Sequence, residues 1–334
     1  MSPPSASRPA AARGASGDRR GPAVEARGAG PSALELLRRV RRIEIATRRA
    51  VEDTLSGQYH SVFKGRGMDF SEVRPYAPGD EVRAIDWNVS ARTGQLHVKR
   101  FVEERELTVM VLCDLSASAD FGSRLRTKAE VAAELAALLA LSAVANGDRV
   151  GLVLFTDRVE HFVPPRKGRR HALRIVSEIL QARPEGRRTS LTGALEFLRR
   201  AMRRRTVAFL LSDFIEPAPG RPGDPASFPF ERALRIAARK HDLVPVRLTD
   251  GLEQAPPPSG LAWLEDPETG EVARVDLSDR RVRDRLTSAL RAEEEALGRL
   301  FARLRLDHAT VRADDADYVS PLLAFFRARA RRLG

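Results

Sequence analysis

A chain of 334 residues with 57 Lys+Arg against 45 Asp+Glu has a formal net charge of +12, and its 43% hydrophobic content is enough to bury a core, which excludes a wholly unfolded chain. A single cysteine, Cys113, excludes an internal disulfide framework, and six scattered histidines supply no Cys/His zinc cluster, so a reducing compartment, the cytoplasm, is the expected location. Only five of the basic residues are lysine and the other 52 are arginines spread along the chain, without the aromatic interleaving of a nucleic-acid surface, so nucleic-acid binding is not expected.

Residues 1–31 are mostly Pro, Ala, Gly, Ser and Arg and are expected to form a disordered tail. Residues 32–104 form a second segment: Ala33, Leu36, Leu37, Val40, Ile43 and Ile45 predict a helix over 33–48, and the glycines and prolines from Gly57 to Gly94 predict a ribbon-and-loop region. Over 105–250 the apolar runs Leu107–Cys113, Val150–Phe155, Val207–Leu211 and Leu243–Leu248 alternate with helical stretches near 125–146, 169–181, 191–204 and 229–240. Continuous apolar strands between helices are what a sheet buried on both faces needs, and they predict a doubly wound, mostly parallel α/β fold. The segment 251–334 is expected to pack on this core as a hairpin around Asp266-Pro267-Glu268-Thr269-Gly270, a helix near 279–305, a strand near 308–312 and a helix near 318–331. The longest low-polarity stretch, Val131 to Ala145, includes Glu134 and is about fifteen residues, short of the roughly twenty that cross a bilayer, so no membrane span is predicted.

The run Asp114-Leu115-Ser116-Ala117-Ser118 places a carboxylate and two hydroxyls at alternate positions where the first apolar strand ends, the edge at which open α/β sheets bind ligands. Thr189, just before a predicted helix, and Asp213, ending another strand, are further oxygen donors in equivalent places. Five hard oxygen groups suit a small divalent cation, Mg²⁺ or Mn²⁺. The structural alternative is that these side chains cap the following helix.

This pattern resembles a von Willebrand factor A domain with its metal-ion-dependent adhesion site, a D-x-S-x-S turn with a Thr and an Asp from two other loops, matched here by Asp114, Ser116, Ser118, Thr189 and Asp213. The resemblance implies that the two Ser ligate the metal directly, the Thr directly or through water and the carboxylates mostly through water. One position is then left for a partner's acidic side chain. Ala119 stands where many such domains have Met.

A second resemblance rests on the run from Gly65 to Trp87, continuing through Ser90-Ala91-Arg92, and on Asp266 to Gly270. From about residue 34 onward the chain is similar to the bacterial family catalogued as domain of unknown function 58, often encoded beside MoxR-type AAA+ ATPases. That implies an adaptor or chaperone-like partner of such an ATPase or its client. Within the run, Arg74, Asp80, Arg83 and Asp86 read as a structural ion-pair network or a partner surface, with Trp87 as an anchoring indole.

No catalytic set emerges, because no histidine is placed beside Ser116 or Ser118 as a base. The reading is a non-catalytic, divalent-metal-dependent protein-interaction module. A metal-dependent phosphoesterase is the enzymatic alternative, although Asp114 lacks a D-x-D partner, and a less specific nucleic-acid-binding protein is the other.

Overall fold

The computed structural model describes residues 68–103, 106–122, 126–216, 228–254, 256–266, 268 and 270–333. The tail expected at 1–31 and the helix expected at 33–48 lie outside the described residues, as do Gly65 to Gly67.

Strands β1 (Met68–Pro75) and β2 (His97–Glu103) pair antiparallel as a separate ribbon, with the short helix α1 (Trp87–Thr93) between them. Asp86 caps α1 by accepting from the amides of Asn88 (3.0 Å) and Val89 (3.2 Å), and Gly94, at φ 74°, ends it in the left-handed conformation that glycine adopts freely. Arg74 holds both oxygens of Asp80, at 2.8 and 2.5 Å. Arg83 forms no ion pair with a described residue, and Trp87, read as an anchor, is 64% exposed because it opens α1 on the solvent side.

The central sheet is built from β3 (Thr108–Asp114), β4 (Arg149–Phe155), β5 (Val159–Arg166), β6 (Val207–Ser212), β7 (Asp242–Thr249) and β10 (Ala309–Arg312), in the order β10-β7-β6-β3-β4-β5. All neighbours are parallel except β4 and β5. Side chains alternate across a strand, so Val109, Val111 and Cys113 face one layer and Met110 and Leu112 the other. The first layer holds α2 (Lys128–Ala145), α3 (Arg169–Gln181) and α8 (Ser320–Leu333); the second holds α4 (Leu191–Ala201), α5 (Glu231–Lys240) and α7 (Arg280–Arg303). The doubly wound, mostly parallel architecture is therefore as expected. Helix α2 is apolar on nearly all faces because α3 covers the side that the sheet does not.

Two features depart from the reading of the sequence. The antiparallel edge strand β5 was not expected; it contains Pro164 and Pro165, which an edge tolerates and a central strand does not. The boundary drawn at residue 250 cuts through one sheet, since β10 pairs with β7 and both α7 and α8 cover its faces. Between β7 and α7 lie the one-turn helix α6 (Gly251–Gln254) and a separate antiparallel hairpin of β8 (Leu261–Glu265) and β9 (Val272–Asp276).

His241, at the junction of α5 and β7, is buried with neither ring nitrogen hydrogen-bonded among the described residues. Burial, helped by the charges of Lys240 and Arg205, pushes its pKa down to about 4. The unfolded chain then binds the proton that the folded chain refuses, so stability falls as pH drops from the ordinary histidine range toward 4. A His241→Leu chain is expected to lose this component, about 3 kcal/mol between those limits. Urea denaturation of both chains across that range checks it, and parallel pH profiles would refute it.

Candidate functional site

The direction of winding reverses between β3 and β6, so their carboxyl ends open a crevice. Asp114 ends β3, Ser212 ends β6 and Asp213 follows it. Oδ1 of Asp114 accepts from the Ser116 amide (3.0 Å), which turns the chain so that the hydroxyls of Ser116 and Ser118 stand 3.0 Å apart. The Ala117 amide donates to the Arg187 carbonyl at 2.8 Å, which brings the loop carrying Thr189 alongside this turn. Thr156, just after β4, and Glu160, in β5, brace that loop: Thr156 donates to Glu160 (2.6 Å), and Glu160 accepts from the Gly186 amide (2.8 Å). The approach is so close that a Cβ at residue 186 would lie 2.2 Å from the Thr156 hydroxyl, which requires glycine.

Helix capping does not account for the oxygen set. Helix α2 is capped by Thr127 in a reciprocal box with Glu130, and α4 by Ser190 accepting from the Gly193 amide. Asp114, Ser116, Ser118, Thr189 and Asp213 are all buried without serving either helix.

Ser212, missed in the sequence, ties the crevice together: its hydroxyl donates to Oδ2 of Asp114 (2.6 Å) and accepts from the Phe214 amide (3.0 Å). Phe214 has φ 64°, a strained conformation for a bulky residue, and is held there by its ring packing against Phe301 and Phe230. This turn directs Asp213 back toward Lys128, whose ammonium donates to Asp213 (2.8 Å) and to Glu253 (2.7 Å). Lys128 is 1% exposed. Burial opposes its charge, but the two carboxylates outweigh burial and raise its pKa. Thr189 meets a fourth acid, Glu268, from the β8–β9 turn: its hydroxyl donates to Oε1 (2.6 Å) and its amide to Oε2 (3.1 Å).

Burial, and then the neighbouring Asp213, push the Asp114 pKa up to about 7. Burial also leads the upward shifts of Glu268, Glu253 and Glu216, the last of which accepts from the Thr192 amide. A strongly basic chain thus gathers acids at one end of its sheet, around a buried lysine. Among the described residues no three His, Cys, Asp or Glu side chains are arranged to hold a metal on their own. The expected set adds three hydroxyls to two carboxylates, and its chemistry suits a small hard cation: every donor is oxygen, all five residues are buried, and Asp114 is held in place by an amide and a hydroxyl. Of the described histidines, His161 lies 3.4 Å from Glu178 and His171 bonds the Val150 carbonyl, neither within the oxygen set.

Fold and site together define a doubly wound α/β protein with a buried set of hydroxyls and carboxylates at the switch point of its sheet. The chain belongs to the family described as protein of unknown function DUF58, whose pattern matches residues 72–296. It is 30% identical over 295 residues to the uncharacterized protein Rv1480 of Mycobacterium tuberculosis, covering 87% of this chain and 89% of that one. Similar solved structures include the conserved hypothetical protein BatB from Bacteroides thetaiotaomicron (14% identity, TM-score 0.39, 67% of this chain and 99% of that one). Another is the SpRpn10 VWA domain (12% identity, TM-score 0.36, 65% of this chain and 93% of that one). No helix among the described residues is long and apolar enough to cross a membrane.

Proposed function

We propose that the chain is a non-catalytic protein-interaction module that binds Mg²⁺ or Mn²⁺ and presents it to an acidic side chain of a protein partner. The observation that carries this reading is the buried hydroxyl-and-carboxylate set at the switch point, where the Ser116 and Ser118 hydroxyls stand 3.0 Å apart beside Asp114. Ser116, Ser118 and Thr189 would hold the ion, and Asp114 and Asp213 would neutralise it. When bound, the ion supplies a Lewis-acid position for one external carboxylate oxygen. The family resemblance supports a MoxR-type AAA+ ATPase, or its client, as the partner and the cytoplasm as the place.

Calorimetric titration with Mn²⁺ tests the reading. Wild type is expected to bind, and Asp114→Ala to lose about tenfold or more in affinity while remaining folded. Equal binding by the two chains would refute it. Release of phosphate from phosphate esters by the isolated chain, abolished in Asp114→Ala, would instead favour the phosphoesterase.

A further inference from the structure

The hairpin of β8 and β9 stands outside the central sheet. It forms a two-stranded sheet of its own, as β1 and β2 do, and its apolar side chains stand in solvent, Leu261 at 67% exposure and Trp263 at 70%. The acid at its tip is nevertheless only 7% exposed. The tip is shaped for that placement. Asp266 accepts from the Glu268 amide through its side chain (2.9 Å) and from the Gly270 amide through its carbonyl (2.8 Å), which directs residue 268 inward. Both carboxylate oxygens of Glu268 then bond Thr189, one of the five residues of the oxygen set.

We infer that Glu268 is the chain's own occupant of the position that the site offers to a partner's carboxylate, and that the hairpin is a latch which withdraws before a partner acid enters. This rests on the metal-dependent reading above. An incoming acidic side chain has the same chemistry as Glu268 and would reach the ion beside Thr189, whose hydroxyl and amide Glu268 already holds, so the two compete for one place. Withdrawal exposes little new apolar surface, because the strands that carry Glu268 already lie in solvent. The latch is therefore held at its tip, by charge-assisted hydrogen bonds, rather than by a packed core.

Two measurements on the full chain test this, comparing wild type with Glu268→Ala and with Glu268→Gln, which keeps the shape of the turn. In hydrogen exchange, amides of 261–276 and of Thr189 are expected to exchange about tenfold faster in Glu268→Ala, with the central sheet unchanged. In titrations with Mn²⁺ as probe and acetate as external acid, acetate is expected to strengthen Mn²⁺ binding about threefold in both variants and to leave wild type unaffected. Equal acetate responses in all three chains, with the hairpin amides unchanged, would overturn the latch and leave the metal reading intact. Absence of Mn²⁺ binding in every chain would overturn the metal reading and the latch with it.

Discussion

Lys128→Met is expected to destabilise the chelator-treated protein by about 3–5 kcal/mol, the usual result of removing one member of a buried ion pair. Lys128 is the ammonium between Asp213 and Glu253, and its loss leaves the buried Asp213 and the partly buried Glu253 without their cation. The same loss makes the pocket more negative, so Mg²⁺ should restore more stability to the variant than it adds to wild type. Urea denaturation in EDTA and in saturating Mg²⁺ measures both effects. A variant that Mg²⁺ helps no more than wild type would show that the lysine and the cation do not share one pocket.

Asp114→Asn is expected to act in the opposite direction. With its pKa raised to about 7, folded Asp114 keeps a proton that the unfolded chain has already released, so stability falls as pH rises from the ordinary carboxylate range to 7. Above that pH the wild-type chain holds a buried charge opposite Asp213, and replacing it by an amide should stabilise the chelator-treated protein by about 1–3 kcal/mol after the lost hydrogen-bond strength is deducted. The variant should also gain nothing from Mg²⁺, while wild type is stabilised. Denaturation at about pH 8 decides the matter, and an Asn variant less stable than wild type in chelator would contradict the electrostatic account.

Much of the fold was legible because burial on both faces leaves a plain signature. The runs beginning at Leu107, Val150, Val207 and Leu243 became β3, β4, β6 and β7 with boundaries shifted by a residue or two. Strand β5 escaped because an edge needs little apolar surface; of its eight residues only Val163 is buried, among His161, Pro164 and Pro165. The site divided in the same way. Asp114, Ser116 and Ser118 are neighbours in sequence and were legible together. The contacts Lys128–Asp213, Asp114–Ser212 and Thr189–Glu268 span 85, 98 and 79 residues and depend on tertiary folding. A faint signal did exist for Lys128, which stands three and seven positions before Val131 and Leu135 and so shares their buried face.

The two margins of the central sheet restrict how another protein can engage it. One margin is β5, where Pro164 and Pro165 have no amide hydrogen to offer, and the other is β10, only four residues long. A peptide seeking to extend the sheet by strand addition would find few usable donors on one side and little length on the other. Strand addition is thereby disfavoured at both margins, and the part of the sheet that presents side chains rather than unpaired backbone is its carboxyl end.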